Sequence, residues 1–135
     1  MSLLLEDLLQ FFVDNNLYKG LGVDAFWDKL PDKPDSCIAV FEYTGFAEVS
    51  YEPAVHRSVQ VVCREPSASL AKASVTKVHN LIRSSLDETG VIYLNGRFTQ
   101  TSIRQTPFKL NEDKESRVTY GFNLGITTTE DELGG

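Results

Sequence analysis

Apolar residues open the chain at helical spacing: Leu4, Leu5, Leu8, Leu9 and Phe12 recur three and four apart, with Glu6, Asp7, Gln10 and Asp14 between them. This pattern predicts an amphipathic helix, capped by Ser2 and running to about Asn16. Gly20 and Gly22 break the chain, and Ala25 to Leu30 fits either a short strand or one helical turn. Phe26 and Trp27 read most simply as core packing, with an interface anchor as the other reading. Pro31 and Pro34 then push their neighbours out of the helical region. Cys37 to Tyr43 is apolar apart from Glu42 and bounded by turn residues, as expected of a largely buried strand.

Ser58 to Arg64 sets Val59, Val61 and Cys63 against Gln60 and Val62, which predicts a strand with one buried face. Pro66 and Ser67 signal a helix start, followed by a stripe of Ala71, Val75, Val78 and Ile82 that ends near Gly90. Asn95-Gly96, between Ile92-Tyr93-Leu94 and Arg97-Phe98-Thr99, predicts a two-residue hairpin turn. The returning strand, Arg97 to Gln105, carries Thr, Ser and Gln on both faces and suits a sheet edge, while Asn111 to Glu115 reads as a charged turn. Val118, Tyr120, Phe122, Leu124 and Ile126 alternate regularly with smaller or polar residues. Gly121 and Gly125 on the second face imply close approach of another element, expected to be a helix.

The implied fold is α+β, a mostly antiparallel or mixed sheet of four to five strands with two main helices on one face. At 135 residues, one domain over 1–127 and a flexible acidic tail over 128–135 are expected. No apolar run is long enough to span a bilayer, and Glu6 and Asp7 interrupt the opening leucines, so a soluble protein without a secretory signal is expected. The net charge of -6 opposes non-specific affinity for a phosphate backbone.

Few residues of the chain stand in patterns suited to catalysis or metal binding. Cys37 and Cys63 fall inside predicted strands and read as small buried hydrophobes, with a disulfide or a metal ligand as the sharper readings. His56 stands at a strand start and His79 on the polar side of a helix, neither with a second ligand at metal-binding spacing. Phosphate-loop, dinucleotide, nucleophile-elbow and Cys-x-x-Cys patterns are absent, and the carboxylates cluster at helix ends and turns where acids are commonly solvated. Glu42 is the exception, an acid inside an apolar strand that reads as outward-facing or as a partner for a base across a subunit boundary. An enzyme would need Glu42, His56 and Arg64 in one cleft. A small oligomeric cytosolic ligand-binding protein would need a pocket lined by Tyr43, Tyr51 and Tyr93.

Several features together resemble a known family: the first-helix pattern, Phe26 with Leu30-Pro31-Asp32-Lys33-Pro34-Asp35, the Ile38 to Gly45 strand with its Glu-Tyr-Thr-Gly end, and the acid-bearing turn before Arg117. Over about Leu4 to Ile126 the chain resembles the minor capsid or tail terminator proteins of long-tailed bacteriophages, which include head-to-tail joining proteins. It departs from that pattern after Gly45, where Phe46 stands in place of a common second glycine. The resemblance implies a non-enzymatic virion protein without cofactors or metal, placed at the tail-head junction after folding in the bacterial cytoplasm. It implies a ring, usually of six copies, that caps the tail tube and meets a head connector, with DNA passing through unbound and no membrane involved. Two stretches are candidate contact surfaces for such a ring. One is the segment from Gly45 to Pro53, with Phe46, Val49, Tyr51 and Glu52, read as an arm. The other is the polar strand with Arg97, Thr99, Thr101 and Ile103.

Overall fold

A computed structural model describes residues 4–43, 54–94 and 97–129 of the chain. The first helix, α1 (Leu4–Asp14), buries Leu4, Leu5, Leu8, Leu9 and Phe12, so the predicted stripe is the packed face. It ends where Asn16 takes a left-handed conformation and the Leu17 N–H donates to the Phe12 carbonyl at 3.1 Å. Ala25–Trp27 forms a short strand, β1, which settles the choice left open there. It is followed by β2 (Cys37–Tyr43) and β3 (Ala54–Glu65). The second helix, α2 (Ala68–Ser85), is capped by Ser67, whose hydroxyl accepts from the Leu70 N–H at 3.3 Å. Ala71, Val75, Val78 and Ile82 are all buried, as the stripe predicts.

After α2 come β4 (Val91–Leu94), β5 (Arg97–Ile103), β6 (Phe108–Glu112) and β7 (Val118–Thr129). Among the described residues these make one seven-stranded mixed sheet in the order β1-β2-β3-β7-β5-β4, with β6 also paired to β7. Only β1 and β2 run parallel; the remaining pairs are antiparallel. The sheet is larger than the expected four to five strands. The short β1 and β6 account for the difference.

One face of the sheet carries the main core, in which the α1 and α2 stripes meet Ile38, Val40, Val59, Val61, Ile92, Leu94, Phe122, Leu124 and Ile126. α1 touches β1 and β4, the two ends of the strand order, so the sheet curls around the helix. Phe26, Cys37, Ala39 and Val62 form a smaller cluster on the other face. Cys37 and Cys63 therefore lie in different clusters, both buried and both free thiols, which matches the simple reading of each.

Four expectations are corrected here. The strand from Arg97 is not an edge: β5 pairs with β4 through Arg97 to Gln100 and with β7 through Gln100 to Ile103. Thr99 and Thr101 are buried rather than outward, because Thr99 Oγ1 donates to the Ile92 carbonyl at 3.0 Å and lies 3.4 Å from Thr101 Oγ1. The methyl groups can then pack while the hydroxyls are satisfied. His79 is likewise buried, its ring edge-on to Phe122 with centroids 5.3 Å apart.

The third correction concerns the β7 glycines, whose face is opposite the helices. A Cβ on Gly121 would sit 2.6 Å from the Val61 carbonyl oxygen and 2.7 Å from Leu110 Cδ1. On Gly125 it would meet the Arg104 guanidinium at 2.9 Å. The close neighbours are thus β3, β6 and the Arg104 side chain, not a helix. Nor is Asn111 to Glu115 a turn throughout: β5 and β6 line the same edge of β7 in succession, interrupted at Arg104 to Pro107, and the turn begins only after Glu112.

Candidate assembly surface

The two ends of the sheet differ in chemistry. At one end β3 finishes and β7 begins, and each strand carries an arginine there, Arg64 within β3 and Arg117 just before β7. The Pro-Asp-Lys-Pro-Asp loop between β1 and β2 folds across this end. Arg64 donates to three of its backbone carbonyls: Pro34 at 2.6 Å, Asp35 at 3.2 Å and Asp32 at 3.3 Å. Arg117 donates to carboxylates, at 2.8 Å to Asp113, 3.1 Å to Asp32 and 3.2 Å to Asp35, and also to the Asp32 carbonyl. Both arginine side chains are buried, although Asp32 and Lys33 of the loop are exposed and Pro31, Pro34 and Asp35 only half-buried.

Asp113 Oδ1 in turn accepts from the backbone N–H groups of Glu115 and Arg117 at 2.9 and 3.0 Å, which shapes the turn into β7. Lys33 spans the loop to Asp35 at 3.0 Å. Partial burial would raise the Asp113 carboxyl, but its hydrogen bonds from Arg117 outweigh this and hold it below the usual carboxylate range. The Lys33 hydrogen bond does the same for Asp35. For Arg117, desolvation is outweighed by Asp113, Asp32 and Asp35, and its guanidinium is held above its ordinary value. These groups form a structural clamp in which every charge has a partner. Two of the features that carry the resemblance, the Pro-Asp loop and the acid-bearing turn before Arg117, lie far apart in sequence and are joined by it.

The opposite end is built differently. β2 stops at Tyr43, paired with Ser58, while β3 and β7 continue as a ribbon in which Ala54 to Arg57 pair with Ile126 to Thr129. The β4–β5 hairpin also closes toward this end, Leu94 pairing with Arg97. The strands flanking residues 44–53 and 95–96, and the C-terminal end of β7, therefore all reach the same end of the sheet. Phe46, Val49, Tyr51 and Glu52 lie outside the described residues. Glu42 pairs within the chain, accepting from Arg57 at 2.7 Å at the base of the ribbon. That pair occupies the acid for which a base across a subunit boundary was considered.

Arg64 is held in the clamp at one end of β3 while Glu42 pairs near the other, so the Glu42, His56 and Arg64 cluster does not form. Of the three tyrosines considered for a pocket, Tyr93 is 58% exposed on β4, and Tyr51 lies outside the described residues. No group of three or more possible metal ligands occurs among the described residues. Both thiols are raised by burial, Cys63 to about 12, which suppresses thiolate chemistry. No described helix is long and apolar enough to cross a membrane.

What sequence reading missed is Arg64 as a partner of the Pro-Asp loop. The available signal was a basic residue at the end of each of two long apolar strands, together with a loop carrying Asp32 and Asp35. No curated protein matches the chain. Among solved structures, a protein named only by a serial label superposes with a TM-score of 0.52 at 11% identity, over 91% of this chain and 88% of its own, which supports the fold alone. The family model described as bacteriophage tail terminator protein matches residues 12–130, from the end of α1 through the clamp and β7, and the chain belongs to that family.

Proposed function

We propose that this chain terminates the tail tube of a long-tailed phage or prophage. Copies of it, six in the expected arrangement, close into a ring on the last layer of tube protein. The ring stops further addition of tube subunits and presents its other face to the head connector, and DNA passes through its centre without specific binding. The family match over residues 12–130 carries this reading. The net charge of -6 suits a ring that must not retain its polyanionic cargo. The work is assembly, with no catalytic step. Contact with tube or connector is assigned to the sheet end reached by the strands flanking 44–53, with Phe46, Val49, Tyr51 and Glu52 as the arm. The clamp at the other end holds the scaffold.

Deleting the gene from the phage tests this reading. Lysates should then contain tails of irregular length and filled heads without tails, and purified protein added to the lysate should restore joining. Normal tails joined to heads in the deletion would overturn it.

A further inference from the structure

An open cleft of about 360 Å³ lies against β1 at one end of the strand order, lined by Gly22, Phe26, Trp27 and Lys29. A Cβ built on Gly22 meets nothing within 4 Å, and next to it Val23 is 56% exposed. Lys29 Nζ stands 5.9 Å from the Phe26 ring centroid, so the cleft combines aromatic surface with a positive charge. At the other end of the strand order, β4 turns Ile92 and Leu94 into the core, each 2% exposed. Alternation then directs Tyr93 outward, where it is 58% exposed. The turn leading into β4 carries Asp87 and Glu88, both exposed and opposite in charge to Lys29.

A heterologous contact needs two different complementary patches on one subunit, and it closes into a ring when the patches are inclined to each other. The curl of the sheet around α1 inclines these two edges. We infer that the β1 cleft receives Tyr93 of a second copy, with the Asp87-Glu88 turn of that copy beside Lys29. This rests on the ring reading and names the surface through which the ring closes. An exposed tyrosine entering an aromatic-lined cleft is the kind of anchor that dominates interface energies.

Trp27 is the only tryptophan of the chain, so its fluorescence reports on the cleft directly. Sedimentation of the full chain from about 1 μM to about 1 mM should show association. Trp27 emission should shift to shorter wavelength in step with the rise in mass, and acrylamide quenching should fall. Tyr93→Ala should raise the concentration of half-association at least about ten-fold, as expected for loss of an anchor residue, in a protein whose circular dichroism remains that of the folded chain. Tyr93→Phe should associate as the wild type does. Lys29→Glu, on the other side of the contact, should weaken association in a protein that still folds. Multimers that leave Trp27 emission unchanged and tolerate Tyr93→Ala would overturn the contact, and so would a monomer throughout the range. Either result leaves the capping role to be decided by the gene-deletion experiment.

Discussion

Arg117 and Arg64 are each buried, and between them they satisfy carboxylates and carbonyls of a loop that has little apolar surface of its own. Replacing Arg64 by methionine keeps the volume but leaves three carbonyls without their donor, at a cost of about 3 kcal/mol, measurable by urea unfolding. Arg117→Met should lower Tm by several degrees at pH 7. The gap should close in acid, because carboxyls held below their usual range contribute stability above the unfolded value, about 3.9. That contribution is lost as pH falls through the folded values. Wild type and variant should therefore converge in Tm between about pH 5 and pH 2; a gap that stays constant would contradict the clamp's electrostatic origin. Cys37 and Cys63, both buried with raised thiols, should resist a thiol reagent at pH 8 until the protein is unfolded in urea.

At the level of elements, β7 is the organising strand, with β3 along one side and β5 and β6 in succession along the other. Gly121 allows this arrangement, since a side chain there would strike the fixed Val61 carbonyl as well as Leu110. Gly121→Ala should cost about 2 kcal/mol. Gly125→Ala should cost clearly less, because the Arg104 guanidinium it meets is the far end of a flexible side chain. Equal losses in urea titrations would contradict this account of the glycines. The α1 and α2 stripes and the β7 alternation were legible in the sequence because each kept one period and buried one face. β5 was misread because Thr99 and Thr101 look polar, yet in the core their hydroxyls bond to Ile92 and to each other. β6 was missed because it is largely exposed and its register slips between Lys109 and Asn111, leaving no alternation to detect. The clamp was half legible. The Pro-Asp loop stood out, but its joining to Arg64 and Arg117 depends on strand order, which no local pattern encodes.

As a whole, the molecule pairs a sheet end locked by ion pairs with one reached by the strands around 44–53, and it belongs to the tail terminator family. Removing Val49 to Glu52 should leave Tm and circular dichroism unchanged while abolishing attachment to tail tubes; unimpaired attachment would move the contact elsewhere. The central claim is termination of the tube, and electron microscopy of purified tail tubes polymerising with and without this protein addresses it most directly. The account predicts tubes that stop growing and carry an added ring at one end. Tubes that elongate to the same length distribution in its presence, with bare ends, would contradict it.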